Sequence, residues 1–231
     1  MQVLNSKPAL PAAILAFVFL GLGLADGIGN AHGMGMHRAY SEPVRGYRAG
    51  GLQGKIRYCE DCHGPSGQGY RGYLPMPRLA GQTPQYLENE LQDFVQGRGE
   101  EAHHSINLSE VHHLNPQMQT ALASYFNTLN PRPIGGAPRR LVAMGKTIYE
   151  AGLPDANVPA CSVCHGPSAE GHGPIPRLAG QLYPYTIMEL EHWDRERNQA
   201  GPGTPAVMRR VAHSLSNSQI EAVAAYLSYL E

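Results

Sequence analysis

The chain has four cysteines, and they fall in two identical close pairs, each followed by a histidine: Cys59-Glu60-Asp61-Cys62-His63 and Cys161-Ser162-Val163-Cys164-His165. Two cysteines separated by two residues lie on one face of a helical turn, within reach of the two vinyl groups of one heme. Thioethers made there bring the next residue, the histidine, to the iron from the same side. Two other chemistries use such pairs. A redox disulfide does not need the histidine, and its thioredoxin-like setting needs a strand–helix alternation that this sequence lacks. A zinc ribbon spaces its pairs by about 15–20 residues, whereas nearly a hundred residues separate Cys62 from Cys161. The motifs therefore predict two covalently bound heme c groups, held by Cys59, Cys62, Cys161 and Cys164, with His63 and His165 as proximal iron ligands.

The residues around these motifs repeat in the same order. Gly54-Lys55 before the first pair matches Gly145-Lys146 before the second, and Pro77-Arg78-Leu79-Ala80-Gly81-Gln82 recurs unchanged at Pro176-Arg177-Leu178-Ala179-Gly180-Gln181. Ala123-Ser124-Tyr125-Phe126 matches Ala224-Ala225-Tyr226-Leu227. Matches in one order across both halves imply duplication of a whole domain. Each unit reads as helical. A short helix ends near the CxxCH, and a loop rich in Gly and Pro follows. Apolar residues at helical spacing (Tyr86, Leu87, Leu91, Phe94; Tyr185, Met188, Leu190, Trp193) mark a middle helix. Asn115-Pro116 opens a last helix, and its partner begins near Ser216. The Gly in each first helix, 54 or 145, is expected to allow close approach of Tyr125 or Tyr226. Pro77 and Pro176 are placed to offer a carbonyl to the second ring nitrogen of the heme-ligating histidines, which fixes ring orientation. Met208 lies just upstream of the last helix, where its thioether is expected to be the sixth ligand of the second heme.

The expected fold class is all-α, a tandem pair of small heme domains at residues 45–130 and 140–231. Residues 131–139 form a linker stiffened by Pro and turned by Gly. Lys+Arg number 18 against 19 Asp+Glu, a balance that leaves no footprint for nucleic acid. Residues 1–25 read as an export signal, with an apolar run from 8 to 25 and small residues at plausible cleavage positions. An N-terminal membrane anchor is the alternative, since 18 apolar residues lie near the lower limit for spanning. Residues 26–44 read as a flexible segment. Either way the heme domains are expected outside the cytoplasm.

With these motifs assembled, the chain resembles the diheme cytochrome c4 family over residues 45 to 231. The resemblance rests on the duplicated CxxCH-Gly-Pro, the duplicated Pro-Arg-Leu-Ala-Gly-Gln followed by Tyr, and Met208 before the final helix. It implies two class I cytochrome c folds facing each other, with heme edges close enough for internal electron transfer. It also implies a periplasmic carrier, often membrane-associated, that takes electrons from a quinol-oxidising complex or a dehydrogenase. The acceptor would be a terminal oxidase or reductase. The heme subunit of flavocytochrome dehydrogenases is similar and leaves a subunit role open.

The first unit departs from the pattern. Asn107 stands where Met208 stands in the second, and the stretch from Gln82 to Leu114 is two residues shorter than that from Gln181 to Leu215. The same loop carries His103, His104, His112 and His113. His104 is the expected sixth ligand of the first heme, His103 the second choice, and an open or water-bound heme the alternative. An open heme would make the protein a redox enzyme acting on a small molecule. No Ser/His/Asp arrangement or phosphate loop argues for other chemistry, so an electron carrier rather than a catalyst is expected.

Overall fold

A computed structural model describes residues 51–96, 111, 113–193 and 206–231, the last segment with side chains from 207 onward. Residues 1–25, expected to be an export signal, residues 26–44, His103, His104, Asn107 and His112 lie outside the described residues. Among the described residues no helix is long and apolar enough to cross a membrane.

Residues 44–231 form a single compact unit that contains two hydrophobic cores. The first core is built on α1 (Leu52–His63), α2 (Pro84–Val95) and α3 (Pro116–Asn127). Helix α2 starts where the sequence supplies a cap: Thr83 accepts from Tyr86 N at 3.3 Å, with Pro84 in the first turn. Asn115 caps α3 in the same way, accepting from Met118 N at 2.8 Å ahead of Pro116. Ile56, Leu87, Leu122, Ala123 and Phe126 fill the space between the three helices, and Val111 and Leu114 close it. Between α1 and α2 lies the Gly/Pro loop. Its two short antiparallel strands, β1 (Tyr70–Arg71) and β2 (Pro75–Met76), pair Tyr70 with Met76 and Arg71 with Pro75.

The second core is built on α4 (Val142–Ala151), α5 (Ser162–His165), α6 (Tyr183–Glu191), α7 (Ala206–Ser214) and α8 (Asn217–Leu227). Helix α8 is buried all round from Ala222 to Leu227, so it is the axle of this half. Its start is fixed by Ser216 N donating to Gln219 Oε1 at 2.8 Å. Helix α4 crosses it at Gly145, where a Cβ would collide with the Ala222 carbonyl and stand 2.8 Å from Tyr226 Cβ. That close approach is the one expected from Gly145 and Tyr226.

The halves differ in how they reach CxxCH. Helix α1 runs without a break through Cys59, Cys62 and His63. In the second half α4 stops at Ala151, a loop closes through the Leu153–Val158 bridge, and a four-residue helix then carries the motif. The first helix of this half therefore ends well short of its CxxCH. Between the halves, residues 130–137 have no regular structure but are pinned on both sides. Arg78 Nη2 donates to Pro131 O at 2.7 Å, Arg71 Nη1 to Gly135 O at 3.0 Å, and Tyr229 Oη to Ala137 O at 2.6 Å.

Candidate heme sites

Each CxxCH ends its helix on a histidine whose ring is already aimed. His63 Nδ1–H donates to Pro77 O at 2.8 Å, and His165 Nδ1–H donates to Pro176 O at 2.9 Å. A carbonyl can only accept, so the proton sits on Nδ1 and Nε2 is the nitrogen whose lone pair could ligate a metal. His165 is 5% exposed, and burial pushes its imidazole below the usual pKa, against the opposing pull of the Pro176 carbonyl. A ring kept neutral is the form that ligates iron.

The backbone turn that positions each proline is the same in both halves. After the histidine, Gly69 N donates to His63 O at 2.7 Å, and Gly171 N to His165 O at 2.8 Å. Leu79 and Ala80 then both donate to Gly67 O, as Leu178 and Ala179 do to Ala169 O. Tyr149 Oη fastens the second loop to α4 by donating to Gly166 O at 2.6 Å.

The four thiols are free. Burial, with Cys62 as the next cause, pushes Cys59 up to about 12, and burial pushes Cys161 up to about 11. A redox-active CxxC depends on a depressed thiol pKa; burial does the opposite to the first cysteine of each pair, Cys59 and Cys161, while Cys62 and Cys164 are exposed. Among the described residues no group of three or more His, Cys, Asp or Glu is arranged to hold a bare metal ion. The residues present fit heme c: two reduced thiols on one helical turn, and a histidine held by its far nitrogen.

Met208 lies on α7, the short helix just before the last one. It shares a helix face with Ala212, one turn on, which is 3% exposed, and α7 packs on α6. The matching approach to α3 in the first half is anchored by Val111 and Leu114, both buried, while His113 points to solvent.

The sequence alone did not reveal what the repeated Pro-Arg-Leu-Ala-Gly-Gln does beyond the proline. Gln82 reaches across to the second half, where its Oε1 accepts from Arg177 N at 2.6 Å and its Nε2 donates to Arg177 O at 3.0 Å. Gln181 returns the same pair, accepting from Arg78 N at 2.8 Å and donating to Arg78 O at 3.2 Å. The two glutamines thus form a near-symmetric clamp between the residues that follow the two histidine-aligning prolines. Six identical residues were more than a turn required, and that excess was the available signal.

A family model described as cytochrome c matches residues 142–231. The cytochrome c4 of Azotobacter vinelandii is 34% identical over 188 residues, 77% of this chain and 87% of that protein. A thiosulfate dehydrogenase electron acceptor of Thiomonas intermedia is 34% identical over 176 residues, 74% of this chain and 77% of that protein. Among solved structures, the cytochrome c4 of Acidithiobacillus ferrooxidans matches with a TM-score of 0.64 at 34% identity, covering 74% of this chain and 98% of that one. A duplicated histidine-aligning turn, two helical cores and likeness at this level over most of the length lead to one assignment: the chain belongs to the cytochrome c4 family, all-α diheme proteins of two tandem class I cytochrome c domains joined by a Pro/Gly linker.

Proposed function

We propose that this protein is an exported periplasmic carrier of single electrons, with two covalently bound heme c groups. Domain 1 (45–130) attaches one heme through Cys59 and Cys62 and ligates it with His63. Domain 2 (140–231), beyond the 131–139 linker, uses Cys161, Cys164 and His165, with Met208 as the sixth ligand. His104 is the proposed sixth ligand of heme 1. The observation that carries the reading is the pair of Nδ1–carbonyl bonds, at 2.8 and 2.9 Å, behind the two CxxCH histidines. When bound, each heme supplies a one-electron couple; the chain sets its ligands, its burial and its docking. Residues 1–25 direct export.

The donor is a quinol-oxidising complex or a dehydrogenase, and the acceptor a terminal oxidase or reductase. A dehydrogenase donor that oxidises a sulfur compound is favoured by the similarity to a thiosulfate dehydrogenase electron acceptor.

Mass spectrometry of the chain expressed with heme-attachment machinery tests the reading. An increment of two hemes that survives acid extraction is expected; one heme or none overturns it. Magnetic resonance on wild type and His104→Ala tests heme 1. A low-spin bis-His signal that His104→Ala removes is expected. A high-spin signal in the wild type would favour an open heme and an enzymatic role.

A further inference from the structure

The glutamine clamp ends on the two peptide groups that hold the CxxCH histidines. Pro176 O accepts from His165 Nδ1–H at 2.9 Å, and Arg177 N, on the other edge of the same peptide, donates to Gln82 Oε1 at 2.6 Å. Pro77 O accepts from His63 Nδ1–H at 2.8 Å, and Arg78 N donates to Gln181 Oε1 at 2.8 Å. The orientation of each side-chain amide is fixed. Gln82 Oε1 also accepts from Thr83 N and Gln181 Oε1 from Leu182 N, both at 2.9 Å, and only an oxygen can serve two N–H donors. Each relay therefore runs from the glutamine of one half, through one peptide, to the histidine of the other. Its surroundings are dry: Gln82, Gln181 and Arg78 are 4%, 7% and 3% exposed. Burial, and then the charge of neighbouring Arg177, bring Arg78 down to about 10. In such a setting hydrogen bonds in series polarise one another. An N–H that donates to a glutamine oxygen leaves its own carbonyl richer in electron density, and that carbonyl draws harder on the histidine Nδ1–H.

We propose that Gln82 and Gln181 are positioning residues that act crosswise: the glutamine of each half sets the electron donation of the proximal histidine, and with it the heme potential, of the other half. This rests on the diheme reading above and deepens it. A stronger pull on Nδ1–H makes the imidazole a better donor through Nε2, which favours ferric iron. Loss of the glutamine oxygen should therefore raise a potential, and it should do so in the half that was not mutated. A clamp that only holds the halves together has no reason to act crosswise.

Spectroelectrochemical titration of the two-heme protein, with NMR of the assigned histidine Nδ1–H protons in the ferrous form, tests the relay on Gln82→Leu, Gln181→Leu and Thr83→Val. Gln82→Leu should weaken the His165 hydrogen bond and move its proton upfield. It should also favour ferrous heme 2 by about threefold, a rise of about 28 mV for a one-electron couple, while His63 and heme 1 stay as they were. Gln181→Leu should move His63 and heme 1 and leave the second half unchanged. Thr83→Val removes the bond to Gly173 O across the same interface but touches neither peptide, so it should move neither heme. If a leucine variant fails to hold two hemes, Gln82→Glu carries the test: it keeps an acceptor for Arg177 N, and heme 2 should fall further than heme 1. Shifts that are larger in the mutated half, equal in both halves, or absent in a variant holding two hemes would overturn the relay alone. A shift reproduced by Thr83→Val would assign it to a loosened interface and overturn the relay as well. Fewer than two hemes in the wild type would overturn the diheme reading and the relay with it.

Discussion

In the first half Gly67, at φ 64°, makes the turn that receives Leu79 and Ala80, and a Cβ on it would stand 2.8 Å from Phe126. In the second half the same turn is made by Ala169, at φ 57° and fully buried, in a core where Leu227 replaces Phe126. A smaller helix residue leaves room for the extra methyl, and core contacts hold the alanine in a conformation that glycine adopts more easily. Thr83 and Leu182 make a second such contrast. Thr83 Oγ1 donates to Gly173 O of the other half at 2.7 Å, whereas Leu182 is buried against Gly69, where a Cβ would meet it at 3.0 Å. The backbone hydrogen bonds repeat while the side chains around them diverge. The repeated bonds are thus the part of the design tied to holding a heme, and the divergent packing is what lets two copies fit each other.

Six substitutions break or sharpen this contrast. The largest effect is expected at Met208. Met208→Ala should remove the weak red absorption band of ferric Met–iron ligation from heme 2 and lower its potential by a sizeable part of the roughly 0.8 V that axial ligands span. The halves would become more alike, and a band that persists would leave Met208 a packing residue. Next come the clamp glutamines. Gln82→Ala and Gln181→Ala each remove two bonds across the interface, and each should cost about 2–3 kcal/mol in denaturant unfolding, in nearly equal measure. A large inequality would show that the near-symmetric geometry is not energetically symmetric.

Gly67→Ala should cost about 1–3 kcal/mol by overpacking against Phe126. Phe126→Leu in the same chain should recover part of that cost, because it recreates the pairing of the second half; additive losses in the double-mutant cycle would refute the volume exchange. The smallest effect is expected at Thr83. Thr83→Val should cost about 1 kcal/mol, since it removes both the bond to Gly173 and the cap on Tyr86 N.

What the sequence determined was local chemistry and its repetition. CxxCH, the caps at Asn115 and Ser216, and the apolar spacing of α2 need only near neighbours, so they could be read directly. The proline carbonyls behind His63 and His165 were also within reach, because a ligating histidine needs such a partner and the loop offers one at a repeated position. Other features depend on the tertiary structure. The glutamine clamp joins residues about a hundred positions apart, and its geometry exists only once the two halves face each other. Met208 lies on a nine-residue helix, too short for its apolar spacing to stand out among the residues before the last helix. The meeting of Arg78 and Arg177 was equally hidden, because a sequence shows each charge alone while burial and adjacency are set by the docking of the two halves.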